Sequence, residues 1–299
     1  MGAIRRVVGF ITYLFFTAMF YVLGVIPSKW HGRLADLLLL LLHPLLGKEN
    51  RKIAVNIYKI NGIPPGSKAS VQFQRQVMRH QIIEAFEVFR SIFVPQEIVL
   101  KGMDELKASL QNVLVKNRGV VIISGHLGSW EHAAYAIFKA INEPIVALAK
   151  PTNFEQLTKV IDKSRAKLGI KLLWNDQKSI LREMIGTLRQ GKPLGFVMDQ
   201  RADNRKGHLV TFLGYPTEFV VGPTKIALRT GAPILAVYCM RVESMTFQLI
   251  SRLLWDGDQK IDDERALTQQ LADDVGSMIK LYPEQWVWNY NRWNFPKNG

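Results

Sequence analysis

The sequence predicts an α/β fold: a mixed central sheet flanked by helices, behind an N-terminal hydrophobic helix that anchors to a membrane. Three observations predict it. From about residue 120 onward, short apolar runs alternate with stretches of helical spacing. The chain has 299 residues, 48% of them hydrophobic, which suffices for one large domain plus an extension. The segment Val7 to Ile26 carries no charge over twenty positions, and as a helix it would cover about 30 Å, the thickness of a bilayer's hydrocarbon.

Taken in chain order, the first element is that apolar helix, preceded by Arg5 and Arg6 and stopped by Pro27. A cleavable signal peptide would have a shorter apolar region and an A-x-A-like site, and none precedes Pro27-Ser28-Lys29-Trp30. An uncleaved anchor is therefore expected. Leu34 to Leu46 is a second apolar run, too short to span and interrupted by Pro44, so it reads as an interfacial or core-packed helix with His43 at the interface. Lys29, Arg33, Lys48, Arg51 and Lys52 flank it, as suits a segment lying against anionic headgroups. Residues 1–46 are thus read as anchor and interfacial helix, and 47–299 as the α/β domain.

Within that domain, Ser67 to Phe93 has apolar residues at helical spacing and predicts one long amphipathic helix. Strands are expected at Val120–Ile123, Ile145–Leu148, Lys171–Trp174, Leu194–Met198, Ile234–Tyr238 and Thr246–Ile250. Helices are expected at 129–141, 154–168, 177–190, 222–230 and 263–281. Asp176 has the chemistry of an N-cap and Gly191 that of the residue after a helix end. Trp286, Trp288 and Trp293 read as core or membrane-interface packing. The single cysteine, Cys239, excludes a disulfide framework and reads as an inert buried thiol.

The chain carries 39 Lys+Arg against 25 Asp+Glu, net +14. A surplus of that size calls for an anionic partner. There is no RNP-like strand, zinc-finger spacing or basic helix, so no nucleic acid is expected. Clusters such as Lys163, Lys167 and Lys171, or Arg201, Arg205 and Lys206, read equally well as solvated charged faces. A mean hydropathy near zero excludes a polytopic membrane protein.

The most informative stretch runs from Val120 to Tyr135. A buried strand leads into Gly125-His126-Leu127-Gly128, and a helix begins near Ser129. In open α/β sheets ligands bind beyond the carboxyl ends of strands, where His126 would stand. Residues five apart on a continuous helix do not share a face. With His126 in the loop and Glu131 in the first turns, however, their side chains could approach. The carboxylate could then orient the imidazole, fix its tautomer and stabilise its protonated form. Histidine suits deprotonating a hydroxyl that attacks an acyl carbonyl, and the helix start offers N–H groups to a developing oxyanion or a phosphate. His126 and His132 have no third ligand nearby in sequence, so no metal is expected.

Gly125-His126-Leu127-Gly128-Ser129-Trp130-Glu131 resembles the GHxGNWE block of bacterial lipid A biosynthesis acyltransferases of the late, lauroyl/myristoyl type, within the wider lysophospholipid acyltransferase group that carries His-x4-Asp/Glu. Further blocks follow in order. Lys150-Pro151-Thr152-Asn153 is similar to an Arg-Pro-x-x-Asn stretch, and Arg165 to Gly169 to an arginine-bearing helix end. Met198-Asp199-Gln200, Gly207 to Gly214, Val221-Gly222 with Ala227 to Pro233, and Pro283 to Trp288 with Arg292-Trp293 complete the series.

The resemblance implies transfer of a fatty acyl chain from an acyl carrier protein thioester to a hydroxyl of a lipid A precursor, at the cytoplasmic face of the bacterial inner membrane, with no cofactor. It implies His126 as general base with Glu131 as partner, and Arg165 and Asp199 in the active site. Arg165 would meet a phosphate or thioester oxygen; Asp199, following a buried strand, would need an ion pair or a substrate hydroxyl. The positive surplus would then face three anions: the bilayer, an acidic carrier protein and a phosphorylated glycolipid. Two other readings stay open: the same transfer to a lysophospholipid, another glycosyl lipid or an aminolipid, and a non-enzymatic, membrane-tethered basic binding protein.

Overall fold

A computed structural model describes residues 2–175, 179–202 and 207–293, with the backbone alone for residues 2–7, 43 and 44. Asp176, Arg205, Lys206 and the side chain of His43 lie outside the described residues.

The apolar segment is one helix, α1 (Gly2–Val25), ending just before Pro27. The leucine run forms α2 (His31–Leu42), and Pro44 converts its continuation into a 3-10 turn at His43–Leu46. The next helix, α3 (Gly47–Asn61), has too few apolar residues to stand out in the sequence, yet buries Ile53, Ala54, Asn56 and Ile57 along one stripe. The long amphipathic helix is α4 (Lys68–Phe93), capped by the Ser67 hydroxyl, which accepts from the Ser70 amide at 3.2 Å.

The remaining elements are β1 (Val99–Lys101), α5 (Met103–Leu114), β2 (Val120–Ser124), α6 (Trp130–Ile141), β3 (Ile145–Ala149), α7 (Glu155–Lys167), β4 (Ile170–Trp174), α8 (Ile180–Arg189), β5 (Pro193–Val197), β6 (His208–Phe212), β7 (Tyr215–Phe219), α9 (Gly222–Thr230), β8 (Ile234–Glu243), β9 (Thr246–Trp255) and α10 (Glu264–Leu281). All six expected strands and all five expected domain helices are present, within a few residues of their expected ends, except that β8 and β9 each run five residues further. Gly191 takes a positive φ after α8, as a residue closing a helix should. Unanticipated are α3, α5, the short β1 and the hairpin β6–β7. The hairpin turns through Leu213 and Gly214, both at positive φ. A left-handed leucine in place of the usual asparagine hides that turn in the sequence.

Seven strands form one mixed sheet in the order β1-β9-β8-β2-β5-β3-β4. Strands β8, β2, β5, β3 and β4 are mutually parallel; β9 is antiparallel to β8, and β1 pairs parallel to β9. Residues alternate between two cores, as the strand period of two requires. Val120 and Ile122 of β2 pack with Leu106 and Leu110 of α5 and Ala136 and Ile137 of α6. Val121 and Ile123 face the other way, into a core shared with Leu188 of α8, Ile226 of α9, Leu271 and Val275 of α10, and Trp286 and Trp288. The tryptophan pair is core: both side chains are almost wholly buried. Cys239, in β8, is buried, and burial holds its thiol well above the usual range, as expected of an inert thiol.

One buried charge ties α4 to the sheet. Glu87 is fully inaccessible, and its carboxylate accepts from Arg241 Nε at 3.0 Å and from the Met245 amide at 3.0 Å. Arg241→Met would strand that carboxylate, a loss of about 3–5 kcal/mol where a buried pair is broken. The expected result lies toward the low end, because Arg241 keeps 21% of its side chain exposed. A fall in the denaturation midpoint of the detergent-solubilised protein checks it.

Candidate active site

The pairing of β2 with β5 builds the site. These strands are parallel and in register, with Ser124 opposite Val197. The ladder continues one step further, the Met198 amide donating to the Ser124 carbonyl at 3.0 Å. Two residues past that pair on each strand stand His126 and Asp199, so equal offsets from one register place them side by side. His126 Nδ1 lies 2.7 Å from Asp199 Oδ1. An ionised carboxylate only accepts, so the proton at this contact belongs to Nδ1, and Nε2 is left as the acceptor of the neutral ring. Gln200 Nε2 approaches Nε2 at 3.3 Å.

Three further contacts fix this arrangement. Trp286 Nε1 donates to the second Asp199 oxygen at 2.7 Å. The Val287 amide donates to the His126 carbonyl, and the Gly128 amide to the Gln285 carbonyl, so the segment after α10 is stitched to the histidine loop. Gly128 takes a positive φ of 59°, and a Cβ there would lie 2.3 Å from the Cys239 carbonyl oxygen. Only glycine lets the loop pass so close to β8.

Burial works to lower the His126 pKa, but the charge of Asp199 and its hydrogen bond outweigh it and hold the imidazole above its ordinary value. The converse holds for Asp199: burial would raise its pKa, yet His126, the Trp286 indole and the His126 amide keep the carboxyl below its usual range. The pair therefore favours an ionised aspartate beside an imidazole that takes up a proton readily. About a quarter of the His126 side chain is exposed, against 4% of Asp199.

Glu131 occupies a different place from the one expected. Standing in the first turn of α6, it is nine-tenths buried and receives Arg165 NH2 on Oε1 at 2.6 Å. The carboxylate that orients the imidazole is Asp199, because the sheet register brings it to Nδ1, whereas the turn of α6 aims Glu131 toward α4 and α7. Glu131 still acts on the ring at longer range, its charge adding to the upward shift of His126. All four residues singled out in the sequence thus converge, as two ion pairs: His126 with Asp199, and Glu131 with Arg165. Asp199 has the buried ion pair that its position demanded.

A cavity of about 350 Å³ adjoins them, lined by Trp130, Glu131 and Arg165 together with apolar residues such as Phe20, Val88, Ile92 and Leu168. Trp130 joins cavity and dyad, its ring standing edge-on to the His126 imidazole at 5.1 Å between centroids. Beneath the loop, His132 is fully buried between two hydroxyls: Ser129 on Nδ1 and Ser91 on Nε2, each at 2.6 Å. Burial lowers its pKa to about 3, so it is a neutral structural histidine. Among the described residues no three potential metal ligands converge.

Trp286 and Gln200 escaped the reading of the sequence as members of the site. The indole N–H is the polar handle of a residue judged by its apolar bulk, and only its place in a motif block pointed to it.

Asp199→Asn should lower the His126 titration midpoint, and Glu131→Gln should lower it less. Imidazole resonances followed by NMR against pH check both directions.

The sequence profile of the bacterial lipid A biosynthesis acyltransferases matches residues 4–294. A phosphatidylinositol mannoside acyltransferase of Mycobacterium tuberculosis is 27% identical over 251 residues, covering 80% of this chain and 75% of that relative. One of Mycolicibacterium smegmatis is 27% identical over 187 residues, covering 62% and 60%. With the profile matched across nearly the whole chain and the histidine loop standing at the carboxyl edge of its sheet, this acyltransferase belongs to the bacterial lipid A biosynthesis acyltransferase family.

Proposed function

We propose that this protein transfers a fatty acyl chain from an acyl carrier protein thioester to a hydroxyl of a phosphorylated glycolipid, a lipid A precursor, at the cytoplasmic face of the bacterial inner membrane. The observation that carries the reading is the His126–Asp199 hydrogen bond, beside a Trp130 ring that packs edge-on to the imidazole and also lines the adjoining cavity. A base with its tautomer fixed by a buried carboxylate, beside space for a hydrocarbon chain, suits attack by an alcohol on an acyl group.

His126 Nε2 takes the proton of the acceptor hydroxyl as its oxygen bonds to the thioester carbonyl carbon. Asp199 stabilises the resulting imidazolium. The tetrahedral intermediate collapses with cleavage of the C–S bond, and the imidazolium returns the proton to the departing thiolate. Arg165, held by Glu131 at the cavity wall, offers its remaining N–H donors to the thioester oxygen or to an acceptor phosphate. The apolar α1, whose Val8–Val25 window is long and apolar enough to cross a membrane, and the +14 net charge fit an anionic bilayer and an acidic carrier protein.

A second reading changes the acceptor alone. Both mycobacterial relatives are named for phosphatidylinositol mannoside, which favours a mannosyl phospholipid. Purified protein incubated with acyl carrier protein or coenzyme A donors and a panel of acceptors, with products weighed by mass spectrometry, separates the readings. Mass gain of one acyl chain on the lipid A precursor supports the first. Gain on the mannoside alone replaces it with the second.

His126→Ala should lower transfer by roughly 10²–10⁴-fold, the usual contribution of a general base, while the protein stays folded and membrane-associated. Undiminished turnover would refute the mechanism. Because the neutral ring is the base and its pKa is raised, kcat/KM should fall on acidification with a midpoint above that of an ordinary histidine. In Asp199→Asn the rate should drop and that midpoint should move to lower pH.

A further inference from the structure

The apolar helix α1 is more than a tether. Its inward residues are Gly9, Thr12, Tyr13, Phe16, Phe20, Leu23 and Gly24, half-buried or buried, at the three- and four-residue spacing of a single helical stripe. The rest of the described helix is exposed, including Phe10, Ile11, Leu14, Phe15 and Val22. The stripe contacts the domain along its whole described length. Near one end a Cβ on Gly9 would meet the Gln156 side chain at 2.6 Å. Tyr13 receives a hydrogen bond from Lys163 Nζ at 3.0 Å, and Phe16 packs on Phe154. Phe20 tilts against Phe89 at 4.3 Å between centroids. At the other end Arg90, paired with Glu97, also donates to the Gly24 and Val25 carbonyls, closing the helix. Gly24 passes α4 so closely that a Cβ would lie 2.9 Å from the Phe89 carbonyl oxygen.

One of these inward residues also faces the cavity. Phe20 is 7% exposed and lines it, together with Val88 and Ile92 of α4 and Ile161 of α7. We propose that α1 is a wall of the acyl-chain site, with Phe20 setting the length of donor chain that the cavity accepts. This rests on the acyltransfer reading above. A hydrocarbon chain fits because Phe20 shares a lining that is mainly apolar, with Val88, Phe89, Ile92, Ile161 and Leu168 against the polar Gln81, Glu84 and Ser164 and the Glu131–Arg165 pair. Each methylene buried there favours a donor by about fourfold, so a wall residue that admits or excludes one more methylene shifts selection by that factor.

The test uses full-length protein in detergent and on vesicles, with carrier-protein donors of graded chain length competing in one reaction and products resolved by mass. Phe20→Ala should shift the product distribution toward longer chains, by about fourfold per added methylene, and Phe20→Trp toward shorter ones. Gly24→Leu, which keeps the helix apolar but forces it from α4, should cut transfer at least tenfold while sedimenting with vesicles as the wild type does. Val22→Leu, on the exposed face, should leave both rate and distribution unchanged. If Phe20→Ala does not fold, Phe20→Met should give a smaller shift toward longer chains, and Phe20→Trp still tests the opposite direction. An active wild type whose chain distribution is unmoved by either Phe20 substitution overturns the wall alone. So does a shift that follows the acceptor's lipid tails instead of the donor's. A wild type that transfers from no donor overturns the acyltransfer reading, and the wall with it.

Discussion

Everything at the site depends on the register of one strand pair. His126 and Asp199 are seventy-three residues apart in the chain and belong to no common local motif. They meet because β2 and β5 run parallel with Ser124 opposite Val197 and because each residue stands two positions beyond that pair, in the loop after its strand. A slip of one residue would turn the inward side chains of β5 to the opposite core. The alternation of Val121 and Ile123 into one core, and Val120 and Ile122 into the other, resists that slip through the apolar surface that each face buries. The chemistry is thus fixed by packing, and the ion pair is its product more than its cause.

The same loop is held from below by polar groups that are costly to bury. Glu87, Ser91 and His132 are nearly or wholly inaccessible, and each is bonded: Glu87 to Arg241 and the Met245 amide, and Ser91 to His132 and the Glu87 carbonyl. Glu84, beside them on α4, lies against Ser129, and burial with the nearby charges of Glu131 and Glu87 pushes its carboxyl well above the usual range. Partnered polar groups in a core discriminate between packings, since any shift leaves donors or acceptors unpaired. Here they join α4, the Ser129 turn and β8, the three elements that bracket the histidine loop.

The sequence made the sheet legible wherever burial was two-sided. Strands β2, β3, β5 and β8 are continuous apolar runs and announce themselves; β6 and β7, each partly exposed around the Leu213-Gly214 turn, do not. Helices α3 and α5 were hidden for a similar reason, their apolar stripes being short. At the site, the four ionisable residues were legible as a set but not in their pairing. Glu131 is near His126 in sequence, and proximity in sequence suggested contact. Only the crossover order β2-β5-β3-β4 brings Asp199 nearer. Hydropathy likewise describes α1 as uniformly apolar and cannot mark the stripe through Phe20 that docks on the domain.

The two ion pairs divide the work by exposure. Asp199 is sealed by Trp286 and keeps its charge beside an imidazole that retains an open edge, so a proton can arrive and leave while the carboxylate stays fixed. Glu131 is sealed in the same way, but its partner Arg165 keeps more than a quarter of its side chain exposed at the cavity wall. A guanidinium has five N–H donors, and one carboxylate oxygen does not exhaust them. Glu131 therefore anchors a cation whose outer donors stay directed by a rigid neighbour, a better arrangement for meeting a developing oxyanion or a phosphate than a solvated lysine would give. Glu131 and His126, close in sequence, are thus bonded to different partners, and under the proposed transfer the two pairs would meet one substrate from two sides of Trp130.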